Sequence, residues 1–208
     1  MDGMKSPGSD SESDPAHRLQ KVRVLVVDSS TQAAHLIKNI FGQLGFSNVL
    51  VANDIYESMQ IMKHVRVDMI FADWGLKMGY NPQTYSGGVL VSNAGVNGAQ
   101  YVKNLRCAPT SPSPFIPVVM LMGTVTNKDV VNVRDSGVND IILKPLEAND
   151  FCQKIVALID HPRIFVTASS YKGPCRRLHT IEEFGGKERR KRQIRLVRRG
   201  EKSSNGGR

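Results

Sequence analysis

The sequence predicts a doubly wound α/β domain on a five-stranded parallel sheet. Three observations carry this reading. Five short apolar runs are continuous rather than alternating, as in strands covered on both faces. A segment of helical period follows each run, and strand–helix alternation implies parallel strands joined by right-handed crossovers. Finally, the first and third runs end on aspartates and the fifth on a lysine.

The first run, "VRVLVV", stops at Asp28; Ile37, Ile40, Phe41 and Leu44 then recur at helical spacing, with Ser29 or Ser30 as N-cap and Gly45 as a stop. "NVLVA" and "DMIFA" are the second and third strands, the latter closed by Asp73. "NGAQYVKNLR" opens the third helix, and "IPVVMLM" is the fourth strand, followed by Gly123 and Thr124. Thr126 and Asp129 have capping-box spacing ahead of "VVNV", although Asp is shorter than the usual Glu. "VNDIIL" is the fifth strand, Lys144 ends it, and Phe151, Ile155, Leu158 and Ile159 make the last helical stripe.

The chain has 208 residues, 40% hydrophobic and 23% charged, enough for one sizeable core with extensions. Its net charge of +9 is uneven: the last 48 residues hold 14 of the 28 basic groups and only 4 of the 19 acidic ones. Three divisions follow: a Ser/Asp/Pro-rich segment 1–20 too polar to order itself, a nearly neutral domain 21–160, and a basic tail 161–208 expected to be mostly disordered. No stretch approaches the ~20 apolar residues of a membrane span, and "MDGMKSPGSDSESDPAHRLQ" lacks the hydrophobic core of a secretory signal. A cytoplasmic location is the expectation. Cys107, Cys152 and Cys175, three widely spaced thiols, suit neither a disulfide framework nor a zinc site.

Ligands of such sheets bind beyond the carboxyl ends of the strands. Asp28, Asp73, Thr124 and Lys144 should therefore meet at one rim. A single aspartate after a strand is as readily a helix cap; two carboxylates and a lysine at three strand ends form a constellation. A carboxylate can attack phosphorus to give an acyl phosphate, provided the crowded negative charge is offset by a cation and a positioned lysine. Mg²⁺ needs only a few carboxylates, with water completing its shell. The turn "DSSTQAA" has no glycine cradle and carries a negative charge where a flavin phosphate needs donors, so a flavodoxin-type enzyme is disfavoured. The five histidines are scattered, none beside a nucleophile or metal cluster.

Over residues 21–160, the acidic end of strand one, "DW" after strand three, "NGAQYVKNLR", "IPVVMLM" and "GVNDIILKP" resemble, in order and spacing, the receiver domain of bacterial two-component response regulators of the chemotaxis-regulator kind. The resemblance implies a flavodoxin-like receiver fold and a phosphoryl-accepting Asp73, with Lys144 contacting the phosphoryl group. It also implies Mg²⁺ held by Asp28, Asp73 and the backbone carbonyl of Gly75, and a cis bond before Pro145. The implied partners are a histidine kinase or phosphotransfer protein upstream and a protein target downstream. No enzymatic activity is implied beyond phosphoryl transfer to, and hydrolysis from, Asp73.

Several positions depart from that pattern. Ser29 stands where a second acid is usual, so it is at best a weak metal ligand and Mg²⁺ binding should be weakened. Met122 replaces the small hydroxyl residue at the end of strand four, leaving Thr124 as a substitute donor, and Ile141 replaces the aromatic that precedes the lysine. The alternative reading is a phosphorylation-independent adaptor that keeps the fold for its surface. The stretch of about 75–97, "GLKMGYNPQTYSGGVLVSNAGVN", is a long inserted loop beside the acceptor, read as a docking loop or a tolerated surface insertion, with "SGGVLVSN" able to form a hairpin. In the tail, "YKGPCRR" and "FGGKERR" repeat an aromatic-x-Gly-x-x-Arg-Arg pattern thirteen residues apart, similar to the basic tails of some stand-alone regulators of alphaproteobacteria. "GGKERRKRQIRLVRR" suits contact with nucleic acid phosphates or an acidic surface, or else serves as a solvated extension. It holds no helix-turn-helix or zinc pattern, so sequence-specific DNA binding is disfavoured.

Overall fold

In a computed structural model, residues 15–79, 97–124, 126–168, 171–176 and 195–197 are described. Five parallel strands, β1 (Arg23–Val27), β2 (Asn48–Ala52), β3 (Met69–Asp73), β4 (Val118–Met122) and β5 (Asp140–Leu143), pair in the order β2-β1-β3-β4-β5. Each corresponds to one of the apolar runs. The order reverses beside β1, which puts the switch point of the sheet between β1 and β3, where a ligand crevice is expected.

Alternate residues of each strand feed two cores. Leu25, Val27, Ile70, Ala72, Val118, Met120 and Met122 face α3 (Ile55–His64), α4 (Gly98–Cys107) and α5 (Asn127–Ser136). Val24, Val26, Met69, Phe71, Val119 and Leu121 face α2 (Thr31–Gln43) and α6 (Ala148–Asp160). On that second face Phe41 stands edge-on to Phe46, Phe71 and Phe151, with ring centroids 4.9–5.1 Å apart, an arrangement that adds attraction to apolar burial. Helix starts follow their caps. Ser30 rather than Ser29 caps α2 by accepting the Ala33 amide, and Thr126 and Asp129 complete the expected reciprocal capping box of α5.

Both domain edges reach further than the sequence suggested. Residues 15–20, read as part of a structureless N-terminal segment, fall in the helix α1 (Pro15–Lys21), whose Leu19 packs on the α2/α6 core. Within the basic tail, expected to be mostly disordered, β6 (Phe165–Ala168) pairs antiparallel with β7 (Tyr171–Pro174) and with β8 (Arg195–Val197). Beneath β6 lies one large buried group, Arg106 on α4. Its guanidinium donates to the carbonyls of Gly137 and Pro114 and to Asn139 Oδ1, and Phe165 covers it with its ring centroid 5.0 Å away. Burial pushes this arginine down to about 10.

The first tail repeat acquires a structural role in that hairpin. Tyr171 donates its hydroxyl to the Pro174 carbonyl and stacks on Arg176, which pairs with Asp135 at the end of α5. Gly173 lies against Gly137, the left-handed residue (φ +97°) that ends α5. A Cβ on Gly137 would stand 2.7 Å from the Lys172 carbonyl. Gly137→Val is therefore expected to cost about 2 kcal/mol through strain and lost hairpin contact, read as a lowered thermal midpoint. The second repeat copy and the "SGGVLVSN" hairpin lie outside the described residues.

Candidate phosphoryl-acceptor site

Parallel register sets the rim. Val27 aligns with Ala72, Asp73 with Leu121, and Met122 with Leu143, so the residues at or just past these strand ends share one level. There the Lys144 ammonium donates to Asp28 Oδ2 at 3.0 Å and to Asp73 Oδ1 at 2.7 Å. The lysine backbone is fixed by its own amide, which donates to the Met122 carbonyl at 2.6 Å, and the Lys144–Pro145 bond is cis.

The two carboxylates are held from their other sides as well. Asp28 Oδ1 accepts the Ser30 amide at 2.9 Å, and Asp73 Oδ2 accepts the Gly75 amide at 2.7 Å. Every carboxylate oxygen thus has a donor, and the group carries a net charge of −1. Exposure separates the pair: the Asp28 side chain is 4% exposed, that of Asp73 18% and that of Lys144 30%. Asp73 is the carboxylate that an incoming reagent can reach. Burial works against the Lys144 ammonium, but hydrogen bonds to Asp73 and Asp28, reinforced by their charge, outweigh it and hold the amine above the ordinary lysine range.

Around this cluster the predicted residues separate. Asp28, Asp73 and Lys144 meet. Thr124 sits on the exposed turn after β4 and, among the described residues, makes no hydrogen bond to them; Met122 is fully buried in the core. Ser29 Oγ accepts the Lys77 amide at 3.2 Å. Gly75 faces Asp73 with its amide, and a Cβ there would lie 3.0 Å from Asp73 Oδ2.

Among the described residues no group of three or more His, Cys, Asp or Glu side chains forms a metal cluster. The rim instead offers two carboxylates, an all-oxygen set that suits Mg²⁺, which takes one or two carboxylates and keeps several waters. By donor chemistry the residues fit that ion.

Residues flanking the insertion shape the rim too, and sequence reasoning missed them. The Gly98 amide donates to the Trp74 carbonyl at 2.9 Å, so the inserted stretch leaves and returns at one point. A Cβ on Gly98 would sit 2.6 Å from the Asp73 carbonyl, so the glycine lets α4 start flush against Asp73. Residues 75–79 form a strap toward α3, with Ile55 and Tyr56 amides donating to the Lys77 and Met78 carbonyls at 3.0 Å each. Gly79 (φ +80°) packs on the Asp54 carboxylate, which caps α3 through the Glu57 amide. The one available signal was "ND" before a helical stripe.

No family model matches the chain. Chemotaxis protein CheY-3 of Vibrio cholerae is 23% identical over 136 residues, covering 65% of this chain and 90% of that protein. CheY1 of Helicobacter pylori is 26% identical over 141 residues, 66% and 97% of the respective chains. Two solved structures are similar in fold. A two-component response regulator from Clostridium difficile has a TM-score of 0.54 at 18% identity, covering 68% of this chain and 98% of its own. The receiver domain of a signal transduction histidine kinase from Syntrophus aciditrophicus has a TM-score of 0.53 at 20% identity, covering 68% and 92%. Both of these relatives are named as CheY chemotaxis proteins, and both solved structures share the fold of this chain.

Proposed function

We propose that the protein is a stand-alone receiver that accepts a phosphoryl group on Asp73 from a histidine kinase or phosphotransfer protein and signals through contacts with a downstream protein. The observation that carries this reading is the single ammonium shared by Asp28 and Asp73. An Asp73 oxygen attacks phosphorus, an O–P bond forms, and the bond from phosphorus to the donor breaks as the donor leaves with its electron pair. Lys144, already on Asp73 Oδ1, is placed to follow the negative charge onto the phosphoryl oxygens, while the Gly75 amide keeps the carboxylate from rotating. Mg²⁺, held by Asp28, Asp73 and the Gly75 carbonyl, would supply further charge neutralisation there. Apart from this self-directed transfer and the hydrolysis that passes the phosphoryl group from Asp73 to water, no catalytic activity is assigned. The proposed location is the cytoplasm; no described helix is long and apolar enough to cross a membrane.

A second reading is favoured by Met122 and Ile141: the hydroxyl-to-aromatic pair that would report phosphorylation is replaced by two apolar side chains of the core. Under it the domain is a phosphorylation-independent adaptor whose basic tail binds nucleic acid or an acidic partner. One experiment separates the two. Treated with a small acyl phosphate and Mg²⁺, the wild type should gain one phosphoryl group by intact mass and Asp73→Asn none. The adaptor reading instead expects no gain, with retention on a polyanionic resin lost when Lys187, Arg189, Arg190, Lys191 and Arg192 are changed to glutamine.

A further inference from the structure

We infer that Ser29 is a positioning residue for the Asp73 carboxylate, acting through the strap of residues 75–79 rather than through a cation. The inference rests on the acceptor role proposed for Asp73. Ser29 directly follows Asp28, yet its hydroxyl oxygen points into the strap, where it accepts the Lys77 amide at 3.2 Å. Two residues back along the same strand of chain, the Gly75 amide grips Asp73 Oδ2 at 2.7 Å.

The strap is fastened along its length. Leu76 is 2% exposed, with its side chain in the core, and Met78 packs on the same cluster. The carbonyls of Lys77 and Met78 satisfy the first two amides of α3, which have no partner within the helix. Gly79 abuts the Asp54 carboxylate so closely that a side chain has no room. Ser29 is the one side chain from the β1 rim in this set of anchors. Without its oxygen, the Lys77 amide loses its protein acceptor midway between Asp73 and α3, and the Gly75 contact slackens with it.

Serine suits this task for an electrostatic reason. An acid at position 29 would also accept the amide, but it would take the cluster of Asp28, Asp73 and Lys144 from −1 to −2 beside a carboxylate that must receive a phosphoryl group. The hydroxyl fastens the strap without adding that charge.

The test follows modification of Asp73 by a small acyl phosphate across a Mg²⁺ titration in wild type, Ser29→Ala and Ser29→Thr, alongside amide exchange at Gly75 and Lys77. Ser29→Ala should lower the plateau rate about fivefold, leave half-saturating Mg²⁺ unchanged, and speed exchange at both amides about tenfold. Ser29→Thr, which keeps the hydroxyl, should restore both. A severalfold rise in half-saturating Mg²⁺ with unchanged plateau and exchange would overturn the inference in favour of a ligand role, and no change anywhere would overturn it outright. Should the wild type take up no phosphoryl group, the acceptor reading fails separately, and amide exchange still decides the tether: unchanged exchange in Ser29→Ala refutes it.

Discussion

Lys144→Ala is expected to slow phosphoryl transfer to Asp73 by about a hundredfold or more, the usual cost of removing a preorganised donor aimed at developing charge. Among the described residues the lysine is the one cation paired with these carboxylates, and it touches both. Its loss leaves Asp28, almost fully buried, facing Asp73 with no counter-charge. Thermal stability at neutral pH should fall as well, by about 1–2 kcal/mol, less than for a deeply buried pair because the lysine remains partly exposed. The pH dependence has a definite sign. An amine held above its ordinary range contributes stability fully below the unfolded lysine value of about 10.4, and that contribution is lost as pH rises through the raised folded value. The stability gap between wild type and Lys144→Ala should therefore be flat from neutral pH to about 10 and close only above that. Lys144→Arg is the informative control: it keeps the charge but replaces a point ammonium with a wider planar fork that cannot sit between the same two oxygens. Stopped-flow measurement with a small phosphodonor reads the rate; thermal melts across pH read the stability.

Arg106→Ala is expected to lower stability by about 3 kcal/mol. The Gly137 and Pro114 carbonyls lose the Arg106 donor, Asn139 Oδ1 keeps only the Val118 amide, and Phe165 loses the cation beneath its ring. Arg106→Met refills much of the volume and isolates the polar part: it should recover some of the loss but not all, since the Gly137 and Pro114 carbonyls still lack the Arg106 donor. The damage has a predicted address. The hairpin of β6 and β7 rests on this site, so limited proteolysis should cut between residues 161 and 176 in Arg106→Ala well before the parallel sheet is attacked. Denaturant melts and the position of the first cut check both parts.

These two residues illustrate what was legible in the sequence. Lys144 was visible because its position follows from period and order: an apolar run, a parallel sheet and a strand end leave it one place to be. The same logic located Asp28, Asp73, all five strands and the capping box of α5. Arg106 was not visible. In "NGAQYVKNLR" it looks like a solvated helix charge, and only the fold reveals that the turn at Gly137 and the loop at Pro114 surround it with carbonyls. The hairpin it supports was hidden for a related reason, since "RIFVTA" is a short apolar run inside a segment dominated by charge. The strap of residues 75–79 was hidden because its anchors are backbone groups. Hydrogen bonds from Lys77, Ile55 and Tyr56 amides leave no trace in residue identity. Ser29 could be recognised as a departure from a family pattern, but not as the partner of an amide 48 positions away.

If the rim makes Asp73 a phosphoryl carrier, as proposed, the modification has one address. The most direct test is borohydride reduction of the full-length protein after exposure to a small acyl phosphate and Mg²⁺, followed by peptide mapping, because reduction converts an aspartyl phosphate to homoserine. Conversion is expected at position 73 alone, and none without the phosphodonor. Conversion at another carboxylate, or none in protein that remains folded, would contradict the proposal.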